Sequence, residues 1–594
     1  MQHISLLLKE QTATYKGRTV FMFKNKSTQK YDSINWTELF GLTNQVSLSL
    51  LNLGLLPHDK IGILSHNKPE WVISDLGIMG IRAVVVPLYA TVSKNEIKYI
   101  VDETEMKLLF AGNQEQIEKA AWLADNCKSL QHIIVFEGSV PDDERFIHWE
   151  DFLNQSKQNH LTEQLDNIQK EFKEDDIATI IYTSGTTSEP KGVILGHDNF
   201  FSAFRINQER LQVSDKEKSL CFLPLSHVFE RTWTLFLLYC GAINVFLENP
   251  RQVIDELPKV RPTLMCTVPR FFEKTYEGIQ REAQKWPRFK QNIFNWSVKI
   301  GLEYIEYLKN AQAAPKPLQL KRKLADKLVL KKLRSIFGGN IKFMPCAGAA
   351  IKPNLLRFFH AAGIFINYGY GATETTATVS CFKSDIYNFD YCGSIMPETE
   401  VRISEENEIL VKGNTVFKGY YNKPEATSQV LKEGWYYSGD EGYIVNNEYL
   451  AMTDRIKDLI KTSGGKYVSP QKIELLVGDD QYIEQIVVIG DNRKFITALI
   501  VPSFDLLEPH FSRLGLSKED KKAIINHLEI KQLIKDRIEE AQSELTHYEK
   551  IITFILLDEP FSIDNKTLTN TLKIRRKFIE TQYKTEIDSM YSSF

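Results

Sequence analysis

Short apolar runs alternate with amphipathic segments from about residue 60 onward. KIGILS (60–65), RAVVVPLY (82–89), KLLFAG (107–112) and QHIIVFEG (131–138) read as buried strands separated by helix-like stretches. Strand alternating with helix predicts βαβ units and a mainly parallel sheet. The rhythm returns at AINVFLE (242–248), TLMCTVP (263–269) and IKFMPCAG (341–348). Near residue 400 the texture changes. EILVKG (408–413), FKGYY (417–421), EGWYYSGD (433–440) and EGYIVNNEYL (441–450) are short strands broken by Gly and Asn, which predicts a small, mostly antiparallel subdomain.

After residue 454 the pattern shifts again, to helices at 473–477 and within 518–548, and strands at 485–491, 496–502 and 551–557. The expected fold class is therefore α/β: a large multi-sheet N-terminal domain, residues 1–454, with a β subdomain at about 395–454. A small α+β C-terminal domain follows, residues 455–594. The run WTLFLLYCGAINVFL (233–247) is shorter than the roughly 18–20 residues a bilayer crossing needs. Gly241 divides it into an expected buried helix and a buried strand. The opening residues, with three leucines before charge returns, do not read as a signal peptide.

Composition narrows the class. With 43% hydrophobic and 25% charged residues, the 594-residue chain is globular. Its net charge of -3 gives no global field for nucleic acid or an anionic membrane. Seven scattered cysteines without a CxxC spacing argue against a disulfide framework and for a reducing, cytoplasmic setting. One local exception is residues 316–334, with eight Lys or Arg, one acid, and leucines at 320, 324, 328, 330 and 333. That spacing predicts an amphipathic helix. Such a helix suits peripheral contact with a membrane surface, or a solvated position with its leucines in the core; the pattern favours the core position.

The stretch TSGTTSEPKGV (183–193) follows an apolar run and is rich in hydroxyls and glycine. It is not a Walker A loop. Pro190 stands where the second glycine belongs, and Gly192 where the Mg²⁺-binding Ser or Thr belongs. The freed N–H groups, hydroxyls and Lys191 still suit a polyphosphate. Four further stretches follow in order: YGYGATETT (368–376), YYSGDEG (436–442, with Asp440 expected on a turn), TDRIKDLIKTSGGKYVSP (453–470) and LTNTLKIRR (568–576). Each alone has an ordinary structural explanation. Asp440 suits turn chemistry, Glu374 a helix first turn, Lys573 a solvated face, and His227 or Trp233 a core position.

Together, the set resembles the adenylate-forming superfamily of acyl-CoA synthetases, peptide-synthetase adenylation domains and luciferases. The resemblance runs from about residue 60 to the end. It looks most like the long-chain fatty acyl-CoA synthetases through LPLSHVFERTWTL (223–235), FKGYYNKPEAT (417–427) and the 453–470 stretch. The resemblance implies activation of a long-chain fatty acid by ATP and Mg²⁺ through an acyl-adenylate, then transfer to CoA. It implies that Thr183, Ser184, Gly185, Thr186, Thr187 and Lys191 hold phosphates, and that Gly348, Tyr370 and Gly371 border the adenine. Thr373 would contact the α-phosphate, Glu374 support the metal, and Asp440 and Arg455 meet the ribose. Lys573 would bridge the carboxylate and α-phosphate, with Lys457 as a hinge. Gly464, Gly465 and Lys466 would line the CoA path, and His227 and Trp233 the acyl site.

Ser188, Glu189 and Leu572 depart from the superfamily's usual pattern, Leu572 in a manner familiar in long-chain members. A carrier-loading ligase, and a shorter or aromatic acid, stay open as alternatives. A kinase-type ATPase is disfavoured by the broken Walker A pattern. Oligomeric state has no signature in the sequence.

Overall fold

The βαβ rhythm of residues 60–196 produces a sheet ordered Phe146–His148, His132–Val135, Leu108–Ala111, Lys60–Leu64, Val84–Leu88, Ile177–Thr183, Lys191–Gly196. Neighbours run parallel except the last two, which form an antiparallel hairpin. Its central strands are buried almost throughout, as a sheet covered on both faces requires. This is a computed structural model, and it describes residues 2–157, 159–183, 190–384, 387–562, 565–569 and 574–592.

Residues 4–52, for which the apolar pattern makes no prediction, form two helices and two strands. Thr19–Lys24 and Tyr31–Asn35 complete a second sheet with Ile243–Phe246 and Lys218–Cys221. Asn35 caps the helix Trp36–Asn52 reciprocally with Glu38, which fixes where that helix starts. The 233–247 run divides as expected. The helix Val228–Cys240 ends at Gly241, whose φ of 75° is the left-handed cap, and the strand Ile243–Phe246 follows. Among the described residues no helix is long and apolar enough to cross a membrane.

The antiparallel region near 400–455 is not a separate sheet. Its strands continue from the parallel pair Met344–Cys346 and Ile366–Tyr370 through Ser380–Cys381, Ser394–Ile395, Tyr449–Arg455, Trp435–Val445, Glu408–Lys412 and Glu400–Ile403. Two expected strands are absent as such. TLMCTVP makes only isolated bridges at Leu264 and Thr267, and FKGYY a single bridge from Tyr420 to Val193. Asp440 is not on a turn. It lies within the strand Trp435–Val445, where the ladder to Glu408–Lys412 slips register. Gly439, at φ 72°, absorbs the irregularity, and its N–H donates to Glu408 at 2.7 Å.

Beyond residue 455, Ile483–Ile489, Ile496–Pro502 and Ile551–Leu556 form a three-stranded sheet. Its apolar clusters, built from residues 460–556 and 487–590, are distinct from the main cluster of residues 4–450. Charged contacts join the two bodies. Glu484 accepts from Arg270 at 3.2 Å and Lys274 at 2.6 Å, and Arg281 pairs with Asp505.

Residues 316–336 are helical, but with a π-helical turn, Asp326–Leu330, between Lys316–Ala325 and Lys331–Ile336. The extra residue in that turn rotates the faces relative to each other. At about 100° per residue Leu320, Leu324 and Leu328 lie on one face and Leu330 and Leu333 on the opposite one, so the five leucines do not share a core side. Leu330 and Leu333 are buried, while Leu320, Leu324 and Leu328 are exposed, so the expected core position holds for only two.

The deepest polar link is the pair Asp75 and Arg231, both 1% exposed. Arg231 donates to Asp75 at 2.5 and 3.0 Å and to Thr179 Oγ1 at 2.6 Å, lying between the rings of Trp71 and Phe200. Removing one partner strands a buried charge. Asp75→Ala should lower the unfolding free energy by about 3–5 kcal/mol, and Asp75→Ala with Arg231→Leu by less than the sum of the singles. Urea denaturation of the three variants measures this; additive losses would mean the pair is uncoupled.

The N-terminus is pinned by His3, stacked on Phe172 at 3.7 Å and set against His197 at 3.6 Å. Burial pushes the His3 imidazole down to about 3, and burial likewise pulls His197 well below the usual histidine range. Unfolded histidines titrate near about 6.5. The neutral pair therefore stabilises fully above that pH, and the contribution is lost as pH falls from there toward 3. Thermal denaturation across this window should show the loss, and His3→Phe should shallow it.

Candidate active site

The phosphate-type stretch is the tip of the hairpin Ile177–Thr183 and Lys191–Gly196, with Thr183 opposite Lys191. Residues 184–189, including Ser184, Gly185, Thr186, Thr187, Ser188 and Glu189, lie outside the described residues. Thr183 Oγ1 reaches the Lys191 carbonyl at 3.5 Å. Lys191 Nζ sits 5.0 Å from the centre of the Tyr420 ring. Tyr420 comes there because the 417–421 segment runs along the hairpin: Ile194 N–H donates to the Gly419 carbonyl at 3.0 Å and Tyr421 N–H to that of Gly192 at 2.7 Å.

Tyr420 also joins the next motif. Its hydroxyl donates to Glu374 Oε1 at 2.9 Å, and Phe417 N–H donates to the Glu374 carbonyl at 2.8 Å. Glu374 lies in the short 3₁₀ turn Thr373–Thr375 that follows the strand Ile366–Tyr370. The turn is tight. A side chain at Gly371 would collide with the Ala377 carbonyl. Thr376 and Ala377 both sit at positive φ, 49° and 69°, and Thr376 Oγ1 is held by the Thr415 carbonyl at 2.7 Å. A β-branched residue in that region stores strain, and the surrounding bonds hold it there. Burial raises the Glu374 carboxyl above the usual range; its own backbone, the Tyr420 hydroxyl and Arg455 pull the other way.

A second chain of contacts meets the first. Tyr370 donates to Asp440 Oδ2 at 2.6 Å, and Arg455 Nε lies 3.3 Å from Asp440 Oδ1. Strand register puts Asp440 opposite Arg455. Burial and the neighbouring Asp440 push the Tyr370 hydroxyl well up. Tyr370 also lines a narrow, largely apolar cavity together with Asn207 and with Phe229, Trp233 and Phe236 from the Val228–Cys240 helix. Trp233 is fixed there by its indole N–H, which donates to Ser219 Oγ at 3.0 Å.

Other expected positions are placed differently. His227 caps the Val228–Cys240 helix, its Nδ1 accepting from Phe229 N–H at 3.1 Å. Gly348, at φ 92°, is exposed in the loop after Met344–Cys346. Gly464 and Gly465 form the turn between Ile460–Lys461 and Tyr467–Val468, and Lys466 lies over Tyr548. Among the described residues these three do not touch the cluster around Glu374 and Asp440. Lys457 lies in the turn Ile456–Asp458. Lys573 and Leu572 lie outside the described residues, although Leu568 pairs with Ile574 just around them. Arg575 acts electrostatically on Glu96, in the segment after the strand Val84–Leu88.

Tyr420 is the residue that sequence reasoning missed as part of the site. Its signal was present, because FKGYY belongs to the quoted likeness, but only strand pairing shows that it touches both Lys191 and Glu374. Glu374 keeps a second carboxylate oxygen beyond the one Tyr420 holds. Among the described residues no group of three or more His, Cys, Asp or Glu converges to hold a metal alone. A Mg²⁺ ion takes few protein carboxylates and completes its shell with phosphates and water, so this single acid fits it.

The family model described as "AMP-binding enzyme" matches residues 8–421, and the "AMP-binding enzyme C-terminal domain" model matches 457–594. The chain is 29% identical over 569 residues to the long-chain-fatty-acid--CoA ligase FadD15 of Mycobacterium bovis, covering 94% of this chain and 93% of that one. It is 30% identical over 600 residues to long-chain-fatty-acid--CoA ligase 5 of Rattus norvegicus, covering 96% and 85%. Its fold is similar to the crystal structure of the anthranilate CoA ligase AuaEII with anthranoyl-AMP, at TM-score 0.75, 18% identity and coverage of 99% and 98%. It is similar to a Mycobacterium tuberculosis fatty acyl CoA synthetase at TM-score 0.62, 18% identity and 99% of each chain. With phosphate-type hairpin, acid turn and paired Asp440 and Arg455 gathered in one cleft, and the first of these models covering most of its length, the chain belongs to the family of AMP-binding enzymes.

Proposed function

We propose that the protein is a long-chain fatty acid ligase that forms an acyl-adenylate from ATP and passes the acyl group to CoA, releasing AMP and pyrophosphate. The observation that carries this reading is the position of Tyr370. Its hydroxyl belongs to the polar cluster with Asp440, and the same residue lines an apolar cavity with Phe229, Trp233 and Phe236. An acid whose carboxylate meets a nucleotide while its tail enters hydrocarbon needs that junction. Each buried CH₂ contributes about 0.8 kcal/mol, so a long tail suits an apolar wall. The named long-chain ligases among the relatives support the same substrate class.

The roles follow from chemistry. Lys191 and residues 183–187 (Thr183, Ser184, Gly185, Thr186 and Thr187) meet the β- and γ-phosphates. Asp440 accepts from the ribose hydroxyls, with Arg455 holding its other side. Thr373 contacts the α-phosphate, and Tyr370, Gly371 and Gly348 border the base. Glu374 would hold Mg²⁺, which when bound offsets phosphate charge. Two anions must meet in the first half-reaction, so a cation between them lowers its barrier. Lys573 fills that role. Trp233 shapes the acyl cavity, and His227 fixes the start of the helix that lines it.

The same reading divides the chain near residue 455. Separate apolar clusters on either side support that division. Rotation at Lys457 exchanges Lys573 for Gly464, Gly465 and Lys466, which then line the CoA path. A few residues at an element end absorb such a motion.

Purified protein with ATP, Mg²⁺ and palmitate should yield AMP, and palmitoyl-CoA once CoA is added. ADP would overturn the reading. Acyl-adenylate without thioester would favour a carrier-loading ligase, and preference for a short or aromatic acid would remove the long-chain assignment. Lys573→Ala should cut adenylate formation by roughly 10²-fold or more, yet leave conversion of supplied palmitoyl-adenylate and CoA largely intact. Equal loss in both half-reactions, followed separately by pyrophosphate release and thioester formation, would remove Lys573 from its role.

A further inference from the structure

Residues 316–336 present a surface that the cleft chemistry does not use. Leu320, Leu324 and Leu328 are 67%, 52% and 40% exposed, while Leu330 and Leu333 are buried against the body at 0% and 6%. The exposed three recur every four residues, so they form one ridge on successive turns. At about 100° per residue, Leu330 and Leu333 fall on the opposite side of the helix from this ridge.

Lysines flank the ridge. Lys323, Lys327 and Lys331 recur at the same interval one position away, and Lys316, Lys321 and Lys332 are exposed as well. Among the described residues none of these six lysines is paired with a carboxylate. The one acid of the segment, Asp326, is taken up by Arg334 at 2.7 and 2.9 Å and by Arg322 at 3.7 Å. The positive charge is therefore uncompensated, and it is local, since the chain as a whole carries -3.

Few occupants satisfy both halves of this surface. A nucleic acid would meet the lysines and leave the leucines in water. An apolar protein groove would cover the leucines and desolvate the lysines without partners. An anionic lipid surface takes both, with ammonium groups among the headgroup phosphates and short apolar side chains at the acyl boundary. We propose that the 316–336 segment docks the protein reversibly on an anionic membrane surface, with Leu320, Leu324 and Leu328 entering the headgroup region. This docking is independent of which acid the cleft activates.

The test is co-sedimentation of the full chain with vesicles of phosphatidylcholine, with and without phosphatidylserine. Binding should require phosphatidylserine and weaken as salt rises. Two variants separate the two halves of the surface. Leu320→Ser with Leu324→Ser and Leu328→Ser, and Lys323→Glu with Lys327→Glu and Lys331→Glu, should each bind at least about tenfold more weakly. All six side chains are exposed, so thermal unfolding should be unchanged, which separates lost docking from lost fold. A tryptophan at position 324, Leu324→Trp, should shift its emission to the blue on vesicle addition. Absence of wild-type binding, undiminished binding by either triple variant, or an unshifted emission overturns the proposal. So does gel filtration showing that the serine variant breaks a dimer, which would assign the leucine ridge to a second copy of the chain.

Discussion

The Asp75–Arg231 pair is the constraint around which the cleft is organised. Asp75 comes from a helix packed on the first sheet, Arg231 from the helix whose other face lines the cavity, and Thr179 from the strand that leads into the phosphate hairpin. A guanidinium without exposure must have every donor direction answered, so its fork geometry locks three elements into one arrangement. The pair's Coulomb gain is largely offset by desolvation. Its consequence is positional: the start of the phosphate hairpin and the wall of the apolar cavity cannot move independently.

The cleft itself rests on shared hydrogen bonds between segments far apart in the chain. Tyr420 stands between Lys191 and Glu374, and Tyr370 between Asp440 and the cavity. Both tyrosines supply one polar atom and one large apolar face, which is what a boundary between nucleotide and hydrocarbon chemistry needs. The strained Thr376 and Ala377 persist because the turn is over-determined: Gly371 leaves no room on one side, and the Thr415 carbonyl anchors the other. Rigidity of this kind keeps the Glu374 carboxylate in place before any ligand arrives.

The basic helix shows how spacing divides a surface. At about 100° per residue, Leu320, Leu324 and Leu328 fall on one face and Leu330 and Leu333 on the other. The body covers the second face, which fastens the helix, and leaves the first among unpaired lysines. Nothing in the adenylate-forming chemistry requires the exposed half.

Much was legible in the chain alone. Alternating apolar runs dictated the parallel sheet, because strands buried on both faces must be continuously apolar. The division of 233–247 at Gly241 was legible because only glycine takes the left-handed cap without strain. The ordered stretches at 183–193, 368–376, 436–442 and 453–470 revealed the candidate cleft residues, since phosphate and ribose recognition draws on few residue types. Tertiary structure alone decided the rest. The partnership of Tyr420 with Lys191 and Glu374 depends on which edge the 417–421 segment pairs with. The strand position of Asp440 depends on a register slip against Glu408–Lys412, and the exposure of Leu320, Leu324 and Leu328 on which face of their helix the body covers. Local sequence sets what each segment prefers. Pairing between distant segments, and the small register shifts it imposes, set which side chains finally meet.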